Sequence, residues 1–458
     1  MGQGGEKLVR FAGILGERHI AGRGGAGAVM GSKNLKAIVI KATRKVKLPN
    51  PEEFKGLIKE QATSMRPHPM FPSQSTDGTL NTMEPMNVKG AFPTRNFREG
   101  IMDGWENISS AAFKKIEVKD APCYNCMLRC NKFHKVTSGP YAGAANEGPE
   151  YESAWAFSGS IVSAEIGATV AADALCDDLG IDTISTGNAI GFVYELFERG
   201  ILTLKDTDGL SLIWGNHAAA IEMIKRIGNR EGLGDILAEG IKRASLHIGK
   251  GAEAYAIHIK GMELSGYECR ALKRQGLGYA TSPIGGSHSI GYCLQEIYDL
   301  PIPHAVDRFA DEGGTDVVKF NQDGFATWET GIGCSFSQPM VFPDLFARML
   351  VSVTGITEFG ALNYLALVGE RIFNLEQAFN VREGFNRKDD AFPLRITNEP
   401  LRNAGPSEGQ IIRKPDALLD EYYQFRGWDR YGIPTHEKLA ELGLAEIGKD
   451  IIKGVIDG

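Results

Sequence analysis

Three cysteines within eight residues, in Ala121-Pro122-Cys123-Tyr124-Asn125-Cys126-Met127-Leu128-Arg129-Cys130, constrain this 458-residue chain more than any other feature. Thiolates at x2 and x3 spacing let one tight loop wrap a cube of iron and sulfide, with the fourth ligand supplied from elsewhere. Zinc is the main rival. Closed all-cysteine zinc sites usually draw on two CxxC pairs, and this sequence has one. The spacing therefore predicts a [4Fe-4S] cluster on Cys123, Cys126 and Cys130.

For the fourth ligand we choose Cys334, because Gly331-Ile332-Gly333-Cys334 lets the backbone approach a bulky group. On composition alone Cys176, Cys269 and Cys293 remain alternatives, although Cys176 lies at apolar spacing on a helical pattern and reads as core. Seven cysteines are few and odd in number for a chain of this length. That suits a reducing compartment, so a cytoplasmic location is expected, with metal or core roles for the thiols. No run approaches the roughly 18 apolar residues of a membrane span, so no membrane is expected. The formal net charge of -7 gives no reason to expect nucleic acid or an anionic surface as partner.

Composition shifts divide the chain into three expected segments: 1–49, 50–257 and 258–458. In the first, Leu35-Lys36-Ala37-Ile38-Val39-Ile40 reads as a strand. The second opens with Asn50 as helix cap and Pro51 at the first helical position. It continues through a helix from about Ser163 to Leu179, stopped by Gly180. Next come a helix capped by Thr183 or Ser185 that carries Ile190, Val193, Leu196 and Phe197, and another over 216–228. In the third, Leu365, Val368, Ile372, Leu375 and Phe379 mark the clearest helix. The fold class expected is mainly α and multidomain: two helical domains after a short β-rich remnant.

Two further patterns carry chemistry. Glu147-Gly148-Pro149-Glu150-Tyr151-Glu152 puts three carboxylates in six residues ahead of an apolar segment. A solvated helix start accounts for these as well as a proton-handling site does. His288 follows a glycine-rich stretch through Gly278, Gly285 and Gly286, where an imidazole can serve as acid or base near neutrality.

These residues resemble the tungsten-containing aldehyde:ferredoxin oxidoreductases. The likeness rests on Ala21-Gly22-Arg23-Gly24-Gly25 through Gly31-Ser32-Lys33-Asn34-Leu35-Lys36-Ala37, the cysteine loop, and Gly148-Pro149-Glu150-Tyr151-Glu152. It continues through Asp178-Leu179-Gly180-Ile181-Asp182-Thr183-Ile184-Ser185, Gly369-Glu370-Arg371-Ile372-Phe373-Asn374 and Tyr422-Tyr423-Gln424-Phe425-Arg426-Gly427-Trp428. The blocks fall in family order along essentially the whole chain.

The resemblance implies tungsten or molybdenum held by two pterins bridged by Mg2+, beside one [4Fe-4S] cluster. It places Arg23, Gly24 and Gly25 at the pterin phosphates, Asp177 and Asp182 at a pterin, and Gly333 with Cys334 in a later pterin loop whose cysteine also ligates the cluster. Glu152 and His288 match the pair that handles protons near the metal. It further implies aldehyde oxidation to a carboxylic acid, with ferredoxin as electron acceptor and a small aldehyde as substrate. Alternatives on the same scaffold are reduction of aromatic or carboxylic acid substrates by a related tungsten enzyme, or a non-catalytic iron–sulfur subunit.

The sequence departs from the family pattern at Glu329, where many members carry aspartate, at Ile290, where a basic residue is usual, and at Ala171, where some carry a metal-binding glutamate. The β-rich start of the family is almost wholly absent. A truncated gene, a fragment or a separate chain carrying that domain is therefore expected, with a homodimer as the other assembly to consider.

Overall fold

Apolar residues at three- and four-residue spacing dominate after residue 50, and the computed structural model, which describes residues 1–16 and 19–449, is accordingly mainly helical. Residues 450–458, the end of the third expected segment, lie outside the described residues.

The first segment forms a hairpin, β1 (Ile14–Gly16) against β2 (His19–Ala21), with Ile14 opposite Ala21. It leads into a short helix, α1 (Ala26–Ser32), through Gly25 at φ 75°. A Cβ on Gly25 would stand 2.3 Å from the Arg10 carbonyl oxygen, so the backbone passes there only without a side chain. The strand expected over Leu35–Ile40 is not formed. Residues 33–50 are irregular, and Val39 is 92% exposed. Strand propensity is realised by packing against a neighbour, and no described strand pairs with this segment.

The second segment starts as expected with Pro51 at the first position of α2 (Pro51–Met65), although the Asn50 side chain makes no cap hydrogen bond. A three-stranded antiparallel sheet follows, in the order β3 (Glu117–Asp120), β4 (Lys132–Lys135), β5 (Ala145–Glu147). The sequence patterns name no strand here. The cysteine loop is the connection between β3 and β4. After β5 come α3 (Tyr151–Ala156), α4 (Ile166–Leu179) and α5 (Thr183–Glu198). Gly180 ends α4 at φ 68°, as expected. Asp182, not Thr183 or Ser185, caps α5 by accepting from the Ser185 amide at 2.9 Å. The next helix is α6 (His217–Asn229), capped by Asn216.

The third segment contributes α7 (Lys273–Thr281), α8 (Thr315–Thr330), α9 (Pro343–Thr354), α10 (Leu362–Arg382) and α11 (Pro415–Arg426). Helix α10 lies where its pattern predicts but turns a different face inward. Leu365, Phe373, Ala378 and Val381 are buried, whereas Leu375 and Phe379 are exposed. The facing surface is set at Gly369, where a Cβ would come within 2.1 Å of the Asp323 carbonyl oxygen of α8. Close approach at that small residue, rather than the apolar stripe, decides the orientation.

One main core runs from Val9 to Trp428 and crosses the expected boundaries near 50 and 258. A smaller one joins Leu57 and Met65 of α2 to Leu128 of the cysteine loop, Trp328 of α8 and Phe346 of α9, with Cys126 and Cys130 packed on it. A buried ion pair also crosses the second boundary, Arg395 to Glu195 at 2.6 Å, and another, Arg426 to Asp323 at 2.5 Å, ties helices within the third segment. Among the described residues no helix is long and apolar enough to cross a membrane.

Candidate active site and cofactor cavity

The β3–β4 connection and the loop after α8 bring Cys123, Cys126, Cys130 and Cys334 to the wall of one cavity of about 700 Å³. Local backbone chemistry explains how. Asn125 and Arg129 take positive φ (54° and 55°), which coils the first loop tightly between its thiols. In the second, Trp328 donates from Nε1 to the Cys334 carbonyl at 3.0 Å, and a Cβ on Gly333 would lie 2.4 Å from the indole. Cys176, Cys269 and Cys293 are fully buried in the core and do not line the cavity. Burial, then the charge of Glu150 and the neighbouring thiols, pushes the Cys130 thiol far up. Among the described residues, no three His, Cys, Asp or Glu side chains are grouped to hold a single metal ion. The thiols stand around a space instead.

Carboxyl groups complete that cavity. Asp177 and Asp173, one turn apart on α4, each accept from Asn146 Nδ2 at 2.9 Å. Burial raises both above the usual carboxylate range. Asp173 was missed in the sequence, although its four-residue offset from Asp177 on a helix was a usable signal. His19, also missed, places Nε2 3.1 Å from Cys123 Sγ. Its place in the hairpin carried no signal.

Arg23, Gly24, Gly25 and Asp182 form one corner behind this wall. The Arg23 guanidinium donates to the Glu263 carbonyl (2.6 Å), the Gly286 carbonyl (3.1 Å) and Ser265 Oγ (3.2 Å), and its Nε stands 3.3 Å from Asp182. It ties the first segment to the third rather than projecting into the cavity. Gly24 has φ 90° and nothing within 4 Å of where a Cβ would be.

A second cavity of about 250 Å³ contains Glu152 and His288. The first turn of α3 carries Glu152, whose Oε2 accepts from the Gly266 amide at 2.8 Å. Its Oε1 is buried without a hydrogen-bond partner, 3.5 Å from His288 Nδ1. Burial pushes the Glu152 carboxyl up to about 8, partly offset by the positive charge of Arg23. Burial and Arg23 hold His288 down to about 3. At neutral pH the imidazole is uncharged and most of the Glu152 population is protonated. Ser265 Oγ already accepts from Arg23 and from the His288 amide (3.3 Å). Its own hydrogen has two acceptors in reach, His288 Nδ1 at 2.9 Å and the Gly286 carbonyl at 3.3 Å. Four tyrosines, Tyr151, Tyr267, Tyr292 and Tyr298, also line this cavity. The last three are scattered in sequence without a motif and were not anticipated.

Glu150 and Phe336 line both cavities and so form the partition between them. Glu150 is half-buried and bonded to Thr79 Oγ1, and desolvation raises its carboxyl. The carboxylate run is thus an interior feature, which rules out the solvated helix start.

The profile of aldehyde ferredoxin oxidoreductase domains 2 and 3 matches residues 56–444, and that of the N-terminal domain of the same enzymes matches residues 1–42. The chain belongs to the aldehyde ferredoxin oxidoreductase family. It is 35% identical over 456 residues to the tungsten-containing aldehyde ferredoxin oxidoreductase of Thermococcus kodakarensis, covering 97% of this chain and 73% of that protein. Identity to the enzyme of the same name from Pyrococcus furiosus is 35% over 455 residues, with the same coverage. The WOR-like subunit of an aliphatic sulfonate oxidoreductase from P. furiosus is 31% identical, covering 98% of this chain and 70% of that one. In fold, the chain matches the active site complex of benzoyl coenzyme A reductase, solved with 1,5-dienoyl-CoA, with a TM-score of 0.79 at 24% identity. That match covers 100% of this chain and 74% of the other. The family is one of oxidoreductases, and the T. kodakarensis and P. furiosus enzymes at 35% identity bear the name tungsten-containing.

Proposed function

We propose that this oxidoreductase converts an aldehyde to a carboxylic acid at a tungsten bis-pterin centre with bridging Mg2+, passing electrons through one [4Fe-4S] cluster to ferredoxin. The observation that carries this reading is the contact of the two cavities at Glu150 and Phe336, one walled by four thiols and the other holding Glu152 and His288.

The residues present fit the groups. Four cysteines around a space, rather than around a point, suit a cube of iron and sulfide. The amino and ring N–H edges of a pterin need acceptors, which Asp173 and Asp177 supply at the wall of the larger cavity. A phosphate needs N–H donors and an approach unhindered by side chains. The turn is open at Gly24, which meets that need, while Gly25 packs on the Arg10 carbonyl, Arg23 and Asp182 fix the position of the turn, and Gly333 allows the Cys334 loop to close over the site. When bound, the tungsten centre takes up the electron pair that leaves the aldehyde.

The protein side of the reaction follows from neutral His288 and the ionised fraction of Glu152. Neutral His288 donates a hydrogen bond from its ring N–H to the substrate carbonyl oxygen and polarises it. Ionised Glu152 accepts a proton from the water that adds to the carbonyl carbon. A base titrating near 8 is close to the operating pH, where general-base catalysis is most effective. The chain R–CHO + H2O → R–COO⁻ + 3H⁺ + 2e⁻ balances with these roles.

The test is to measure metals and turnover on the same preparation. The expected result is about four irons and about one tungsten or molybdenum per protomer, together with aldehyde-dependent reduction of viologen and of ferredoxin. Metal-replete protein that is inert toward every aldehyde overturns the reading. Iron without tungsten or molybdenum would favour an electron-transfer subunit.

A further inference from the structure

The smaller cavity is defined by the character of its walls. Tyr151, Tyr267, Tyr292, Phe325 and Phe336 surround it with aromatic rings, and Leu294 adds an aliphatic patch. Among the described residues no lysine or arginine lines it, whereas the carboxyls of Glu150 and Glu152 do.

The tyrosine hydroxyls do not make this wall polar, because they satisfy one another. Tyr267 is bonded to Tyr292, Tyr292 lies 3.4 Å from Tyr298, and Tyr298 lies 3.1 Å from Thr82 Oγ1. Tyr151 donates to the Gly266 carbonyl at 2.6 Å. With their polar ends engaged, these side chains offer the substrate ring faces and edges. Rings gain from stacking and edge contacts with another flat ring. An anionic group brought into the same space would lose its hydration and find no cation on the wall, only two carboxyls.

Resting on the aldehyde-oxidising reading, we infer that the substrate is a neutral aldehyde with a flat aromatic body, and that aldehydes carrying a second, anionic group are rejected. The specificity-determining residues are Tyr267, Tyr292, Phe325 and Leu294. The cavity volume of about 250 Å³ leaves room for one substituted ring beside the reacting group.

The experiment compares kcat/KM of the metal-replete enzyme for acetaldehyde, benzaldehyde, succinic semialdehyde and glyceraldehyde 3-phosphate. Benzaldehyde is expected to exceed acetaldehyde by roughly tenfold and both anionic aldehydes by about 100-fold. A Leu294→Lys variant, which places a cation in the wall, should narrow the gap between benzaldehyde and succinic semialdehyde by roughly tenfold. A readout independent of turnover is the thermal shift with unreactive probes: benzamide should raise the melting temperature and succinamate should not. This second measurement also stands if Leu294→Lys fails to fold. Anionic aldehydes turned over as well as benzaldehyde, or equal shifts with both probes, overturn the inference while leaving aldehyde oxidation intact. Failure of all four aldehydes, acetaldehyde included, removes the reaction itself and this inference with it.

Discussion

The two cavities share Glu150 and Phe336 but are built in opposite ways. The cysteine wall is made of loops: Cys123 and Cys334 are exposed, Ile332 is 94% exposed, and Asn125, Arg129 and Ile332 hold positive φ. The wall around Glu152 is made of helix and interlocked side chains, with Tyr151, Tyr267 and Trp155 buried around it. Loops that contribute thiols from far-apart positions take their final geometry from what they bind, because thiolate ligation itself fixes the arrangement. A proton-handling pair needs its electrostatics in place before substrate arrives, since preorganised groups cost no reorganisation during the reaction. On the function proposed above, the first wall receives a rigid inorganic body. The second is shaped in advance by the protein.

The sharpest way to break that comparison is to remove a ligand from the loop wall. Cys130→Ser should abolish turnover with ferredoxin and lower iron content, while circular dichroism shows the helical fold retained. Cys176→Ala, in the core and away from the cavity, should leave iron content unchanged. Equal iron loss in both variants would mean that the loop thiols are not special. In the preorganised wall, Glu152→Gln keeps the shape and removes the base. We expect kcat/KM to fall by roughly 10²–10⁴ with iron and tungsten content unaltered. A drop accompanied by metal loss would place Glu152 among the cofactor contacts instead.

The pH profile is the next largest effect. Because burial raises Glu152 to about 8, only its ionised fraction acts as base. Wild-type kcat/KM should therefore climb about tenfold per pH unit below 8 and level off above it. His288, held down to about 3, stays neutral across this range and adds no second limb. A profile that falls with rising pH through the same region would assign Glu152 the acid's role.

The contrast between the walls also explains what the sequence revealed. Cys123, Cys126 and Cys130 were legible as a group because their close spacing puts them on one loop, and Gly180 because a helix end has local chemistry. Flanking glycines pointed to Cys334, but Cys269 and Cys293 stayed open as alternatives until the fold showed them buried, because tertiary packing decides which thiols face a cavity. The tyrosines at 267, 292 and 298 were illegible for the same reason: only the tertiary packing brings their hydroxyls together. Leu35–Ile40 shows the converse error. A run with strong strand character stays irregular where no described strand meets it, because a ladder requires two sides.

The smallest expected effect probes how far the loop wall relies on the protein for its shape. A Cβ at Gly333 would meet the indole of Trp328 at 2.4 Å, and that ring cannot readily yield, because it packs on Phe346 with centroids 4.5 Å apart. Gly333→Ala should therefore push the Cys334 loop outward at a cost of about 1–3 kcal/mol, as overpacking does elsewhere. If the cluster dictates the loop's geometry, the strain appears as lower thermal stability and faster iron loss to a chelator, with initial iron content near normal. If the protein dictates it, the variant assembles with a ligand missing from the start. Iron content immediately after reconstitution, set against the chelation rate, separates the two outcomes and measures how much of this wall is preformed.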